Sequence, residues 1–487
     1  MLNNFFIKTV IIFSLLVLGC KSKMLPKTEK NKRPNIIVII VDDLGYGDIG
    51  YTGHPFIETP NINKLAEEGA FLSNFYSAAS VCSPSRASML TGLTNYKLGI
   101  YSFIHRGSAV HLKKEFSTYS QMLRNRGYQT AMIGKWHLAN HDFKEKNPNS
   151  SIPSMEEYGY DYWFSSDDNA KILNKPNWWD NGKRVGEIKG HAANVVGNKA
   201  VNWLKNHRKN EQPFLLNMNF YEPHWYVDAP DSLFNKYKKQ YKEGHKRAHY
   251  SGCINNVDNE IGSVINTLKE LNIDKNTIII FTSDHGPNDY AQDSKRDRND
   301  GRSTPFRGNK YGLWDGSIHV PAMVYYPGVV EGNQIIDTPL SGVDFLSTIC
   351  GLAEIKLPES IEQDGIDFSP LLFGKTVERR KTPLQWHSYN SKLKNKTSPN
   401  AVLRRGDYIV VGSYKKYDQL KGRYLKKHAS YLKTSKLYHF ALYNIKNDVK
   451  QEYDISKKFP EVFETLKKEL IHSHETLQKD AYIWSVE

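Results

Sequence analysis

Cysteine is scarce in this chain. Four residues in 487 (Cys20, Cys82, Cys253 and Cys350) cannot staple a fold of this size, which excludes a disulfide scaffold. Long apolar runs are missing too. The run Thr9–Leu18 is shorter than the roughly 20 residues a bilayer span needs, so a multi-pass membrane protein is excluded. No segment repeats. Acidic charge is in deficit: 52 Asp and Glu against 66 Lys and Arg leave a net +14. That surplus suits an anionic partner, whether nucleic acid, an anionic membrane or a sulfated substrate. What is present is enough for a sizeable core, with 39% hydrophobic and 24% charged residues.

Residues 1–19 read as a secretory signal, with Lys8 ahead of the apolar run. The run ends Val17-Leu18-Gly19-Cys20, which resembles the lipobox of bacterial lipoproteins. The resemblance implies acylation of Cys20, a membrane anchor and a periplasmic or cell-surface location. Residues 20–33 are polar and basic, as in a flexible tether. Export removes nucleic acid as a partner, and no motif for reading it occurs.

Beyond the tether, Asn35–Val41 (NIIVIIV) is a β-branched run of the kind buried on both faces of a parallel sheet. It stops at Asp42-Asp43. A second such run, Asn276–Thr282, stops just before Asp284-His285. Thr130–Ile133, Phe214–Phe220 and Ala322–Tyr326 are shorter strand candidates. Helical patterns fall between them at Ile62–Gly69, Arg86–Leu90, Thr118–Arg126, Val195–Arg208 and Ser251–Leu271. Alternating strands and helices predict a large α/β sandwich around a mostly parallel central sheet, with ligands at the carboxyl ends of strands. After about residue 375 the texture changes. Val402–Val411 and Tyr438–Tyr443 read as strands and Pro460–Gln478 as an amphipathic helix. The expected division is a catalytic domain over 34–375 and a smaller α+β subdomain with an antiparallel sheet over 376–487.

Five motifs carry chemistry. Adjacent carboxylates at a buried strand end, Asp42-Asp43, repel each other unless a hard divalent cation offsets them. In the same loop, Asp48 suits a turn or cap. Cys82-Ser83-Pro84-Ser85-Arg86 opens a helix whose free N–H groups favour an anion, and Arg86 adds a planar cation. Gly134-Lys135-Trp136-His137 follows a short strand; on an extended segment, Lys135 and His137 would face one pocket. Glu222-Pro223-His224 follows another strand. Ser283-Asp284-His285-Gly286 ends the second long run, and Arg307-Gly308-Asn309-Lys310 lies ahead of Trp314-Asp315-Gly316.

Cys82-x-Pro84-x-Arg86, followed by Ala87-Ser88-x-Leu90-Thr91-Gly92, resembles the type I sulfatases of the alkaline phosphatase superfamily, and the other motifs occur in that family's order from Pro34 onward. The resemblance implies that a maturase oxidises Cys82 to formylglycine (3-oxoalanine), whose hydrate attacks sulfur. It implies one Ca²⁺ held by Asp42, Asp43, Asp284 and the residue-82 hydrate. Arg86, Lys135 and Lys310 become sulfate clamps, His137 the group that helps expel sulfate from the hydrate, and His224 the donor to the leaving oxygen. Where many members carry Asn, this chain has His285, which could ligate the metal or bond to the sulfate.

For an exported enzyme with a basic surface, a sulfated polysaccharide or oligosaccharide, algal glycan or glycosaminoglycan, is the expected substrate. Trp225, directly after His224, is a candidate sugar-stacking residue, as are Tyr226, Trp178 and Trp179. Arg307 and the charge-dense stretch Lys295–Arg302 are candidates for reading neighbouring anions. The rival readings are a phosphatase or phosphonate monoester hydrolase of the same superfamily, and a non-catalytic glycan-binding lipoprotein.

Overall fold

A computed structural model describes residues 33–241, 245–288, 301–378, 380–388, 398–415 and 429–485. The signal segment, Cys20, nearly all of the tether and most of the charge-dense stretch lie outside these residues.

The two apolar runs become neighbouring central strands, Asn35–Val41 and Thr277–Ser283, in a ten-stranded sheet. They pair in parallel, with Val41 opposite Ser283. Phe214–Asn219 flanks the first strand on its other side, and Gln129–Gly134 lies beyond it, both parallel. Ala322–Tyr325 joins antiparallel to Thr277–Ser283, so the sheet is mixed with a parallel centre.

Alternation along the first strand explains why its sequence is continuously apolar. Ile36, Val38 and Ile40 enter one core, while Ile37, Ile39 and Val41 enter the other. Helices Cys82–Thr91, Tyr119–Asn125 and Phe345–Leu352 cover the first face. Pro60–Glu67, Ala192–Asn206 and His245–Glu270 cover the second. This is the expected α/β sandwich.

A four-stranded antiparallel sheet follows: Leu384–His387, Ala401–Arg405, Tyr408–Tyr414 and Leu437–Asn444. The expected single strand Val402–Val411 is in fact a hairpin. Gly406, at φ +59°, turns the chain between Ala401–Arg405 and Tyr408–Tyr414, which pair antiparallel. One face of this sheet carries the helix Pro460–Asp480. The other sends Trp386, Val402, Ile409 and Val411 against Tyr76, Leu313, Trp314 and Ile318 of the larger body.

Candidate active site

The register of the two central strands builds the acidic half of the site. Because Val41 lies opposite Ser283, the residues that follow, Asp42-Asp43 and Asp284-His285, emerge side by side at carboxyl ends. All four are fully buried, and each offers a ligand atom within 4.8 Å of the others. Asp43 sits at φ +66°, a left-handed conformation uncommon outside glycine and concentrated at functional sites.

Cations come in from three other segments. Lys135 Nζ reaches Asp42 Oδ2 at 2.5 Å, Lys310 Nζ reaches Asp43 Oδ1 at 2.6 Å, and Arg86 Nε reaches Asp284 Oδ2 at 2.8 Å. Lys135 and His137 get there by a different path from the expected extended segment. The strand ends at Gly134, which takes φ +109° with its α-carbon against Asn219; a Cβ there would stand 1.8 Å from the Asn219 carbonyl oxygen. Lys135 N then donates to that carbonyl, and His137 adopts φ +61°. Cys82 opens the buried helix Cys82–Thr91 and is itself buried, as is Arg86 one turn on.

Hydrogen bonds fix which ring nitrogens are free. His285 Nδ1 lies 2.9 Å from the Gly286 carbonyl, an acceptor only, so Nδ1 carries the proton. Its Nε2 then faces Asp43 Oδ1 at 3.3 Å and Asp284 Oδ1 at 3.4 Å. Between two carboxylates that nitrogen either carries a second proton, which they favour by raising its pKa, or turns its lone pair to a cation held among them. Asp42 Oδ1, Asp43 Oδ2 and His285 Nε2 are also buried without a hydrogen-bond partner among the described residues. Two carboxylates and an imidazole left in this state, with the Asp284 carboxylate beside them, fit a divalent metal ion. His137 Nε2 donates to the Ile104 carbonyl at 2.9 Å, so its Nδ1 is an acceptor beside Cys82. Nδ1 of His224 is held by the Trp225 carbonyl at 2.8 Å, with Nε2 turned to the site, 4.0 Å from Asp43 Oδ2.

Opposing forces set the charges. Burial alone would push the Cys82 thiol up, but Lys135, His137 and Lys310 hold it well below the ordinary thiol range. Burial likewise disfavours ionised Asp42, and Lys135 more than offsets it, keeping this carboxyl low. Asp43 ends at about 6, because burial outweighs Lys310. Burial works against a charged His285, yet Asp284 raises it above the usual imidazole value. Burial pushes His137 and His224 down, leaving both as neutral rings.

Arg86 Nη2 is buried and without a partner among the described residues. The arrangement is therefore a dense set of fixed cations, a metal-ready carboxylate group and a basic imidazole around one buried side chain at position 82. Such a site is built for an anion on which charge grows during reaction.

The Sulfatase family model matches residues 34–355. The chain belongs to the sulfatase family. It is a sulfuric ester hydrolase of the alkaline phosphatase superfamily. A second model, N-sulphoglucosamine sulphohydrolase, C-terminal, matches residues 308–429. The rat N-acetylgalactosamine-6-sulfatase is 29% identical over 374 residues, covering 71% of this sulfatase and 67% of the relative. An ulvan-active sulfatase of Formosa agariphila is 29% identical over 386 residues, covering 75% and 70%. The crystal structure of Ps i-CgsB in complex with k-i-k-neocarrahexaose shares the fold, with TM-score 0.77, 24% identity, and 93% and 94% of the two chains covered.

The rest of the expected set falls outside the cluster. Trp225 is half-buried, its ring 4.0 Å from that of Tyr226, which is 51% exposed. Arg307 lies 3.7 Å over the Trp314 ring and beside Tyr443 of the four-stranded sheet; these contacts face the joint between the two sheets. Trp178 and Trp179 are corrected to core residues. Trp178 is fully buried and stacks on Phe164 at 4.6 Å, and Trp179 lies under Arg184.

Sequence reasoning missed Phe103 and Tyr311, whose rings lie 6.5 Å apart, with Phe103 also 6.5 Å from His137. Both are loop residues with no periodicity to flag them. It also missed Lys175, buried over the Tyr221 ring at 3.9 Å and pushed down to about 7 by burial.

Proposed function

We propose that this sulfatase removes sulfate from a sulfated polysaccharide or oligosaccharide, with Cys82 matured to formylglycine and Ca²⁺ as the metal. The observation that carries the reading is the convergence of Arg86, Lys135, Lys310 and His137 on position 82 beside the Asp42–Asp43–Asp284–His285 cluster. Asp42, Asp43, Asp284 and His285 would hold the ion, and when bound it would polarise a sulfate oxygen and favour the ionised form of the residue-82 hydrate.

The chain's own residues account for the remaining demands. Arg86 Nη2, Lys135 and Lys310 orient the sulfate and offset the charge that spreads over its oxygens as the ester bond breaks. His224 Nε2, the ring nitrogen turned to the site, donates to the departing sugar oxygen when the ring carries a second proton, since the Trp225 carbonyl already takes the proton on Nδ1. His137 Nδ1 takes a proton from a hydroxyl at position 82, the step by which a hydrate expels sulfate and returns to the aldehyde. General acid and base groups of this kind contribute typically about 10²–10⁴-fold each.

The glycan assignment draws on the net positive charge, half-buried Trp225 beside exposed Tyr226, and relatives named for N-acetylgalactosamine 6-sulfate and ulvan. A lipid anchor on Cys20, a periplasmic or surface location and a formylglycine-generating maturase as partner belong to the same reading.

The test has two parts. Intact-mass analysis of the Cys82 peptide should show a loss of about 18 Da relative to cysteine, a covalent change in the nucleophile. Matured protein should turn over nitrophenyl sulfate with a higher kcat/KM than nitrophenyl phosphate. A thiol at position 82 in fully active protein, or a preference for the phosphate ester, overturns the reading, the latter in favour of a phosphatase.

A further inference from the structure

Asp48 lies outside the metal cluster, yet it is fully buried and accepts three hydrogen bonds. Its Oδ2 takes Gly45 N at 2.8 Å and the Tyr250 hydroxyl at 2.5 Å. Its Oδ1 takes Arg302 N at 2.7 Å. The first bond closes the turn that follows Asp42-Asp43. The second reaches the helix His245–Glu270. The third captures the backbone of the segment that carries Lys310.

The joint continues along that segment. Gly47 N donates to the Arg302 carbonyl at 2.8 Å. Tyr46 packs edge-on against Phe306 at 5.0 Å, and Phe306 stacks on His319 at 4.1 Å. Lys310 N donates to the Pro287 carbonyl. Two glycines permit the close approach: a Cβ on Gly45 would lie 2.4 Å from the Arg302 carbonyl oxygen, and one on Gly47 2.9 Å from that of Thr304. The loop bearing Asp43 and the segment bearing Lys310 are therefore locked as one body, and Lys310 Nζ meets Asp43 at 2.6 Å across it.

We infer that Asp48 is a positioning residue for Lys310: its carboxylate sets where that cation stands relative to the Asp42–Asp43 loop. The inference rests on Lys310 clamping the sulfate, as argued above. Asp48→Asn keeps the shape of the side chain but sets an amide N–H₂ against a backbone or hydroxyl donor, loosening the joint.

The experiment is a double-mutant cycle on calcium-loaded, matured full-length protein with nitrophenyl sulfate. Asp48→Asn should lower kcat/KM about 10-fold or more in the wild-type background and less than about 2-fold in Lys310→Ala, because the two residues act as one unit. Gly47→Ala, in the same loop, presses on the same segment at Thr304 and Arg302 and should show the same suppression; it serves if Asp48→Asn does not fold. Equal losses in both backgrounds, or no loss in either, overturn the inference. Wild-type turnover in the same assay reports on the sulfatase reading separately.

Discussion

Two regions of this sulfatase bury histidines, and they resolve the cost in opposite ways. At the carboxyl ends of the central strands, His285 is buried against Asp43 and Asp284, which raise its pKa, and its Nε2 finds no hydrogen-bond partner among the described residues. Between the four-stranded sheet and the helix Pro460–Asp480, His387 and His474 stack at 5.3 Å, with their Nδ1 atoms 3.2 Å apart. There His474 Nε2 meets the Ser435 carbonyl and His387 Nε2 meets Gln385, so the ring nitrogens are engaged. Burial pushes both of these rings down, and for His387 the neighbouring His474 adds to it. The second region is a satisfied polar joint. The first holds charges and unpartnered atoms that make sense only with a cation and an anion added. Burial alone marks neither as functional; the unpartnered atoms separate them.

The sharpest way to break this contrast is at position 82. Cys82→Ser and Cys82→Ala should each lower kcat on nitrophenyl sulfate by at least about 10³-fold, since an activated nucleophile cannot be replaced by its surroundings. Near-native turnover by Cys82→Ser would remove the special status of the first region.

Next in size is the metal. Removing divalent ions should abolish most turnover and lower Tm, and Ca²⁺ at about 100 times its Kd should restore about 2.7 kcal/mol of stability. Asp284→Asn should blunt that calcium-dependent rise in Tm, whereas His387→Gln should leave it intact. Calorimetric scans with and without Ca²⁺ check both.

A smaller effect is expected at the rim. Trp225→Ala should raise KM for a sulfated oligosaccharide several-fold, as loss of about 1 kcal/mol of stacking would do. It should change KM for nitrophenyl sulfate little. Trp178→Ala should instead destabilise the fold by about 3–5 kcal/mol.

The effect expected in the second region depends on pH. The folded pKa values of His387 and His474 lie below the unfolded value of about 6.5. Stability from this pair is therefore complete above that value and falls as the pH drops below it, by up to about 1.4 kcal/mol per pH unit for each ring kept neutral. Denaturant melts at pH 7 and pH 5 should differ less in His387→Gln than in the wild type.

Much of this was legible in the sequence because the chemistry sits at strand ends. Runs such as Asn35–Val41 are continuously apolar only when both faces are covered, and their abrupt stop places Asp42, Asp43 and Asp284 together at the strand ends. What stayed hidden depends on contacts far apart in the chain. The strand Trp178–Asp180 lies antiparallel beside Tyr162–Ser166, with no apolar run long enough to announce it. Trp178 was ambiguous because nothing local tells a stacked core indole from a rim one. Asp48 read as a cap, which it is for Gly45; its bond to Arg302, 254 positions away, leaves no local trace.

The register of the two central strands has one more consequence. Asp42 and Asp43 belong to the chain before residue 242, and Asp284, His285 and Lys310 to the chain after 244. Neither half owns a complete ligand set. A split of the polypeptide between these groups would turn the proposed metal binding into a reporter of fragment complementation, silent in each piece and restored only when the two zip together along Val41 and Ser283.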